Sequence, residues 1–282
     1  MPSDLIYKYM RIDHLPHIWC PGCGNGTLTR DVAVAIDELC SDPDERFRLD
    51  REKVVIVSGI GCSSRAAGYL DFNSIHTTHG RAIAFATGIK LANPQLTVIV
   101  LTGDGDCSAI GGNHLIHAAR RNVDMTVVVF DNDIYGMTGG QYSPTTPRGD
   151  KATTAPYGVI DRPFDIAGLA AGAGASLTAR GDTYHVRDTI DLIKKGIKHK
   201  GFSLIDCYSL CPTYYGRKNK KGDAVTMLMR QKDCGMRAEA YNALPEEEKA
   251  GKYVIGTLTH TNYPEFTAEY QKMIDRAMGK EG

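Results

Sequence analysis

A chain of 282 residues, 42% of them hydrophobic, can bury a sizeable core as one large α/β domain with an extension or as two small domains. Its 33 basic and 33 acidic residues balance, which gives no footprint of a nucleic-acid binder. No apolar run reaches the ~20 residues of a membrane span, and the N-terminus (MPSDLIYKYMRIDHLP) has no apolar signal-peptide core. A cytoplasmic protein that binds neither nucleic acid nor membrane is expected. Thiols stay reduced in that compartment. The eight cysteines (Cys20, Cys23, Cys40, Cys62, Cys107, Cys207, Cys211 and Cys234) therefore read as metal or redox residues where they cluster, not as a disulfide framework.

In chain order, WCPGCG at 19–24 sets Cys20 and Cys23 two residues apart in a Pro-Gly loop. Such a pair is half of a zinc site, a redox dithiol, or two ligands of an iron–sulfur cluster. Residues 25–36 (NGTLTRDVAVAI) predict a helix opening near Asn25 or Thr27, and the charged stretch 41–53 a surface loop. VVIVS at 54–58 is short, apolar and β-branched, as a buried parallel strand should be, and it ends in GIGC with Cys62. A small-residue helix over 80–92 precedes a second buried strand, QLTVIVL at 95–101, which runs into TGDGDC. A helix over 110–121, a strand over 125–132 ending in Asn132, and a glycine-rich loop over 135–150 follow. The series continues with a helix over 163–173, a strand over 175–179, a helix over 184–198 and a strand over 202–209.

This alternation predicts a largely parallel sheet with helices on both faces. Ligands of such sheets bind beyond the carboxyl ends of the strands. Cys62, Asp104, Asn132 and Cys211 all follow strands and are expected at that one edge. After Cys211 the character changes. RKNKKGD at 217–223 is a basic loop, and 224–282 is charged with few strand signals. The expected division is a cofactor-binding domain over 1–216 and a helical, extended tail over 217–282 that wraps a partner or its own domain.

TGDGDC follows a strand and opens a helix. Gly103 and Gly105 let the backbone approach a ligand. Asp104 is a hard oxygen donor suited to Mg²⁺, and the helix start offers N–H groups to phosphates. The 26 residues between Gly105 and Asn132 hold one helix and one strand, which returns Asn132 to the same edge as a second oxygen donor. The bland reading, a mere strand–helix turn, leaves this spacing unexplained. GDG followed at this distance by a strand-terminal asparagine resembles the thiamine diphosphate-binding motif. The resemblance implies Mg²⁺ held by Asp104, Asn132 and the carbonyl of Ile134. The usual Asn-Asn is Asp131-Asn132 here, with the liganding second position kept.

Six blocks in order, WCPGCGNG (19–26), GIGCSSR (59–65), HTTHGRAIAFATGIKLANP (76–94), GDGDCSAIGGNH (103–114), DNDIYGMTGGQYSPTTP (131–147) and SLCPTYYG (209–216), resemble the β subunits of 2-oxoacid:ferredoxin oxidoreductases. The resemblance implies the thiamine diphosphate-binding fold and one [4Fe–4S] cluster on Cys20, Cys23, Cys62 and Cys211. Cys207 is the alternative fourth ligand, otherwise a buried apolar-like residue. A four-cysteine zinc site is the alternative occupant. Cofactor contacts are carried over to Gly61, Cys62, His79, Gly103, Asp104, Gly105, Asp106, Asn132, Ile134, Tyr135, Gly136, Met137 and Thr138. In the implied reaction a thiamine carbanion attacks a 2-oxoacid, CO₂ leaves, electrons pass singly to the cluster and on to ferredoxin, and coenzyme A takes the acyl group. The reverse direction fixes CO₂. The family draws its activating glutamate and most coenzyme A contacts from an α subunit, so an obligate α/β heterodimer that itself dimerises is expected.

Arg65, three residues after Cys62, is a candidate catalytic residue that pairs with a second substrate carboxylate. In the family a basic residue there accompanies 2-oxoglutarate, which makes 2-oxoglutarate the expected substrate and pyruvate the second. A contact with the partner subunit or a diphosphate oxygen is the plainer role for Arg65. His79 is the other catalytic candidate, through a substrate or cofactor contact or a proton transfer, against a helix-capping role. His114 and His117 read as structural, Cys40 and Cys234 lie outside the motifs, and Cys107 reads as packing. Lys218, Lys220 and Lys221 attract an acidic ferredoxin or are solvated surface. The rival functions are a non-oxidative thiamine decarboxylase subunit, which needs no cysteines, and a cluster-carrying electron-transfer subunit, which leaves GDG…N unexplained.

Overall fold

A computed structural model describes residues 2–280. Helices α1 (Pro2–Tyr9) and α2 (Asn25–Cys40) precede β1 (Val54–Ser58), α3 (Ala66–Tyr69), β2 (Asn73–His76) and α4 (Ala82–Ala92). Then come β3 (Thr97–Gly103), α5 (Gly112–Arg121), β4 (Met125–Asp131) and a small hairpin, β5 (Ile134–Tyr135) with β6 (Gln141–Tyr142). Helix α6 (Ile166–Ala173), β7 (Leu177–Asp182), α7 (Val186–Lys198) and β8 (Phe202–Tyr208) complete the alternating part. The last third adds α8 (Ala224–Cys234), β9 (Gly235–Arg237), α9 (Ala238–Asn242), β10 (Tyr253–His260) and α10 (Phe266–Ala277).

Eight strands form one sheet in the order β2-β1-β3-β4-β8-β7-β10-β9. From β2 to β7 all neighbours are parallel, and β10 runs antiparallel to β7. The valine-rich β4 is buried along its whole length, as a central strand covered on both faces must be. Alternate residues serve opposite layers. Ile56 of β1 belongs to the core that holds Leu28 and Ile36 of α2 and Ile193 of α7, whereas Val57 belongs to the core that holds Ala86 of α4, Leu115 of α5 and Ala170 of α6. Each fully buried Leu or Ile here contributes roughly 1.5–3 kcal/mol. The layers are helices, sheet, helices, as the alternation predicts.

Two placements matter for function. Strand β2 lies on one side of β1 and β3 on the other, so the chain leaving β1 and the chain leaving β3 part company. That divergence opens a crevice at the strands' carboxyl ends. The second corrects the sequence reading of the last third. YVIGTLTH at 253–260 is a strand of the main sheet, not part of a helical tail, and it pairs Gly256 with Arg180 and His260 with Leu177. The segment does fold back on its own domain. Asn122 Nδ2 donates to the carbonyls of Tyr263 (3.1 Å) and Pro264 (3.2 Å), and the N–H of Asp124 donates to Glu265, which also caps α10. No helix among the described residues is long and apolar enough to cross a membrane.

Candidate active site

The crevice is a cleft of about 540 Å³ beyond β1, β3 and β4. It is lined by Gly61, Cys62 and His79, by Gly103, Asp104, Gly105 and Asp106, and by Asn132, Ile134, Tyr135, Gly136, Met137 and Thr138. These are the positions expected at a cofactor. Ile60, Ser63 and Phe130 complete the wall. Gly61 adopts φ +127° with open space where a side chain would stand, so bare backbone faces the cleft.

Asp106 organises one wall. It is 3% exposed, and its carboxylate gathers four donors from three separate segments. The N–H groups of Gly80 (2.7 Å) and Ile60 (3.2 Å) and His79 Nδ1 (2.5 Å) meet Oδ1, and the Thr102 hydroxyl meets Oδ2 at 2.8 Å. The turn after β1, the start of α4 and the end of β3 are thereby tied together. The same carboxylate occupies His79 Nδ1, which fixes that nitrogen as the N–H and leaves Nε2 as the free ring nitrogen. Tyr135 stands edge-on to the His79 ring at 6.1 Å and donates its hydroxyl to the Gly105 carbonyl at 3.1 Å.

A group of carboxylates fills the floor. Asp104 is 3% exposed, Asp131 5% and Asn132 8%. Burial pushes Asp104 above the usual carboxylate range and pushes Asp131 and Asp133 well above it, and Asp104 raises Asp131 and Asp133 further. The Thr145 hydroxyl lies 2.8 Å from Asp104 Oδ2 and 2.9 Å from Asp131 Oδ1. One hydroxyl has one proton, so it serves one carboxylate at a time; the Asp133 N–H adds a donor to Asp131 Oδ1 at 3.3 Å, and the remaining imbalance is the negative charge that Asp104 and Asp131 set side by side. A hard cation satisfies that imbalance, and Mg²⁺ with its preference for oxygen ligands fits the donor set. Asn132 Oδ1 accepts from the Ile134 N–H at 3.3 Å, with Asp133 between them at φ +63°. That tight turn brings Asn132 and Ile134 to the same side.

The cysteines adjoin this cleft. The CPGC loop docks on the exit of β8. Gly24 donates its N–H to the Leu210 carbonyl at 3.0 Å, and a side chain at Gly22 would overlap Ala224 and approach Pro212. The Trp19 indole N–H donates to the Cys62 carbonyl at 2.7 Å. A Cβ added to Gly136 would lie 3.6 Å from Cys62 Sγ and 3.7 Å from Cys211 Sγ, so both thiols border the same stretch of the cleft wall. Burial pushes the Cys23 thiol up to about 12, and the Cys211, Cys62 and Cys20 sulfurs add to the rise. Burial pushes Cys62 up to about 11, with Cys211 and Cys20 again adding. Cys20 and Cys211 are thus close enough to both Cys23 and Cys62 for their charge to raise those thiols. Cys207 is fully buried within β8, and the groups that act on it most are burial and the carboxylates of Asp206, Asp31, Asp182 and Asp131. Among the described residues, no three His, Cys, Asp or Glu side chains converge on a single-ion site.

Arg65 is the candidate that the cleft does not include. It ends a short turn, Ser63–Arg65, exposed to solvent, where it opposes the rise that burial gives the Cys62 thiol and adds to the fall that burial gives the His76 imidazole. The turn runs into α3 and leaves the Arg65 side chain in solvent, outside the cleft lining. His114, by contrast, is inside α5 with its Nε2 buried and unpartnered. The sequence reading missed Thr145 and the organising role of Asp106. The TTP of 145–147 gave no signal on its own, because its partners lie 14 and 41 residues away.

The chain matches the family model of the thiamine pyrophosphate enzyme C-terminal, TPP-binding domain over residues 59–207. It is 51% identical over 269 residues to the 2-oxoglutarate synthase subunit KorB of Methanocaldococcus jannaschii, spanning 95% of this chain and 97% of that protein. It is 48% identical to the 2-oxoacid:ferredoxin oxidoreductase subunit beta of a Sulfolobus species, over 70% of this chain and 62% of that one. Its structure superposes with a TM-score of 0.82 on a 2-oxoglutarate:ferredoxin oxidoreductase from Magnetococcus marinus solved with 2-oxoglutarate, coenzyme A and succinyl-CoA. That match is 34% identical and covers 99% of this chain and 90% of the other.

Proposed function

The chain belongs to the thiamine diphosphate-binding β subunits of the 2-oxoacid:ferredoxin oxidoreductases, and from that premise we propose that it works on 2-oxoglutarate, oxidising it to succinyl-CoA and CO₂. The class rests on one observation. Gly136 lines the cleft beside Asp104 and Asn132, and a Cβ built on it would meet the sulfurs of Cys62 and Cys211 at 3.6 and 3.7 Å, so the cofactor site and the thiols adjoin one wall. The substrate rests on the names of the relatives that match over nearly the whole chain.

When bound, thiamine diphosphate supplies a carbanion for the oxo carbon and a [4Fe–4S] cluster supplies a one-electron relay. This chain's residues do the holding. Asp104, Asn132 and the Ile134 carbonyl are the Mg²⁺ ligands, with Thr145 steadying Asp104. The bare backbone at Gly61 and Gly103 lets the diphosphate come close. Cys20, Cys23, Cys62 and Cys211 hold the cluster, two from one loop, one after β1 and one after β8. His79, with Nδ1 engaged by Asp106, presents Nε2 to hold or pass a proton at the substrate. Arg65 meets the distal carboxylate of 2-oxoglutarate once an α subunit closes over the cleft. That subunit completes the site, the α/β pair dimerises, and ferredoxin takes the electrons in the cytoplasm.

The test is low-temperature EPR of the anaerobically purified α/β complex given 2-oxoglutarate without coenzyme A. A reduced-cluster signal is expected. Silence with 2-oxoglutarate but a signal with pyruvate would reject the substrate and keep the class. No iron signal even after dithionite would reject the cluster.

A further inference from the structure

Beyond Cys211 the chain makes a wide helical turn, Pro212–Gly216, and enters the basic loop 217–223. This loop is a built feature. Lys221 Nζ binds Asp150 at 3.0 and 3.1 Å. Asn219 clamps Lys151 by donating to its carbonyl at 3.0 Å and accepting from its N–H at 2.7 Å. Asp150 also accepts from the Tyr215 hydroxyl. Asp223 caps α8 through Thr226. Both anions of the region are therefore committed internally. Arg217, Lys218, Lys220 and Lys151 are left exposed, and none forms an ion pair among the described residues. The loop also sits beside the cysteines, since Gly22 packs against Pro212 and Ala224, the residues that bracket it. Of the four clustered thiols, Cys20 is the exposed one.

We propose that this cationic loop, together with the exposed CPGC loop, is the docking surface for an acidic electron-carrier protein. The inference rests on the reading of Cys20, Cys23, Cys62 and Cys211 as cluster ligands. Electrons leave a cluster at the surface nearest to it, and the CPGC loop is that surface. Unpaired cations beside it raise the local concentration of a negatively charged carrier and orient its approach. Rim charges of this kind act on association rate and salt dependence more than on chemistry.

The experiment uses the anaerobic α/β complex with saturating 2-oxoglutarate and coenzyme A. Reduction of a net-negative 2[4Fe–4S] ferredoxin is compared with reduction of methyl viologen, from about 20 to about 500 mM salt, across which the screening length falls from ~20 Å to ~4 Å. Arg217→Glu/Lys218→Glu is expected to lower kcat/KM for ferredoxin roughly tenfold at low salt and to flatten its salt dependence, the size expected of lost steering. The viologen rate should stay at the wild-type value. Lys200→Glu, a charge reversal before β8 at the far end of that strand from the loop, should change neither. Unchanged ferredoxin kinetics, an equal loss in Lys200→Glu, an equal loss with viologen, or a raised KM for coenzyme A with ferredoxin kinetics intact would each overturn the proposal. Iron–sulfur absorbance of the wild-type complex is measured first. Its absence from an active complex would sink the cluster assignment, a separate failure from that of the docking surface.

Discussion

Replacing Asp106 with alanine tests whether one carboxylate organises the cleft wall. The substitution leaves the N–H groups of Gly80 and Ile60 and the Thr102 hydroxyl without their acceptor in a site that is 3% exposed. The Thr102 hydroxyl has a second acceptor, the Gly103 carbonyl at 3.4 Å, so the cost falls on the two backbone donors. Each unmet buried donor costs roughly 1–3 kcal/mol, which gives a loss of about 3 kcal/mol. For a chain of this size each kcal/mol moves the melting temperature by about 2–4 °C, so a fall of about 6–12 °C is expected. Asp106→Asn keeps one oxygen for Gly80 and His79 and turns its amide toward Thr102, so its melting point should fall by less than half as much. Turnover should fall in both variants, because His79 loses the anion that fixes its ring, and misplacement of this kind costs on the order of a hundredfold. Scanning calorimetry and viologen-coupled turnover of the anaerobic complex read the two effects separately. An Asp106→Ala complex that melts within about 2 °C of wild type, less than the shift from one lost hydrogen bond, and keeps its rate would refute the reasoning.

Cys211→Ser should abolish iron and the brown absorbance of the purified complex. Cys207→Ser should keep both and lose only stability, by roughly 1–3 kcal/mol for a buried hydroxyl. Thr145→Val removes the hydroxyl between Asp104 and Asp131 at near-constant volume and should raise the Mg²⁺ requirement several-fold with little change in turnover at saturating Mg²⁺, because the hydroxyl only orients the Asp104 carboxylate, as a titration of activity against Mg²⁺ will show. Asp31, wholly buried in α2 with one oxygen unpartnered, is pushed up to about 7 by burial, although Arg30 opposes the shift. Its folded-state pKa is above the unfolded one. The stabilisation is thus complete below about 3.8 and is lost as pH rises to about 7, up to roughly 4 kcal/mol at about 1.4 per unit. Urea unfolding should find the chain less stable at high pH than at low across that window, and Asp31→Asn should flatten the difference. An unchanged slope in the variant would show that Asp31 is already hydrated.

The parallel part of the sheet was legible because buried parallel strands announce themselves. VVIVS was expected at 54–58 and forms Val54–Ser58, and the strand expected over 125–132 forms Met125–Asp131. Strand β10 was not legible, because Gly256 breaks its apolar pattern and charged stretches flank it on the N-terminal side. It exists through pairing with β7, which no local pattern encodes. The cleft positions followed from motif blocks, since every block but WCPGCGNG lies at the end of a strand and strand ends meet at one edge. What a linear reading could not supply is direction. Arg65 follows Cys62 by three residues yet ends in solvent outside the cleft lining, and Asp106, expected beside the cofactor, spends its carboxylate on the protein's own N–H groups. Thr145 is similar, a residue whose meaning lies in two carboxylates distant along the chain.

The pairing of β10 with β7 also sets an order of assembly. During synthesis β7 is complete at Asp182, but the strand that covers its outer edge ends at His260, 78 residues later. Through that interval β7 is an open strand edge carrying unpaired backbone groups, the kind of surface that invites pairing between neighbouring nascent chains. Arg180 on β7 is held by Asp165 and Asp206 from within the domain, so a charge already stands on that edge before its partner arrives. A ribosome stalled or a message truncated before codon 260 would release a chain with its cleft residues intact and its sheet unclosed.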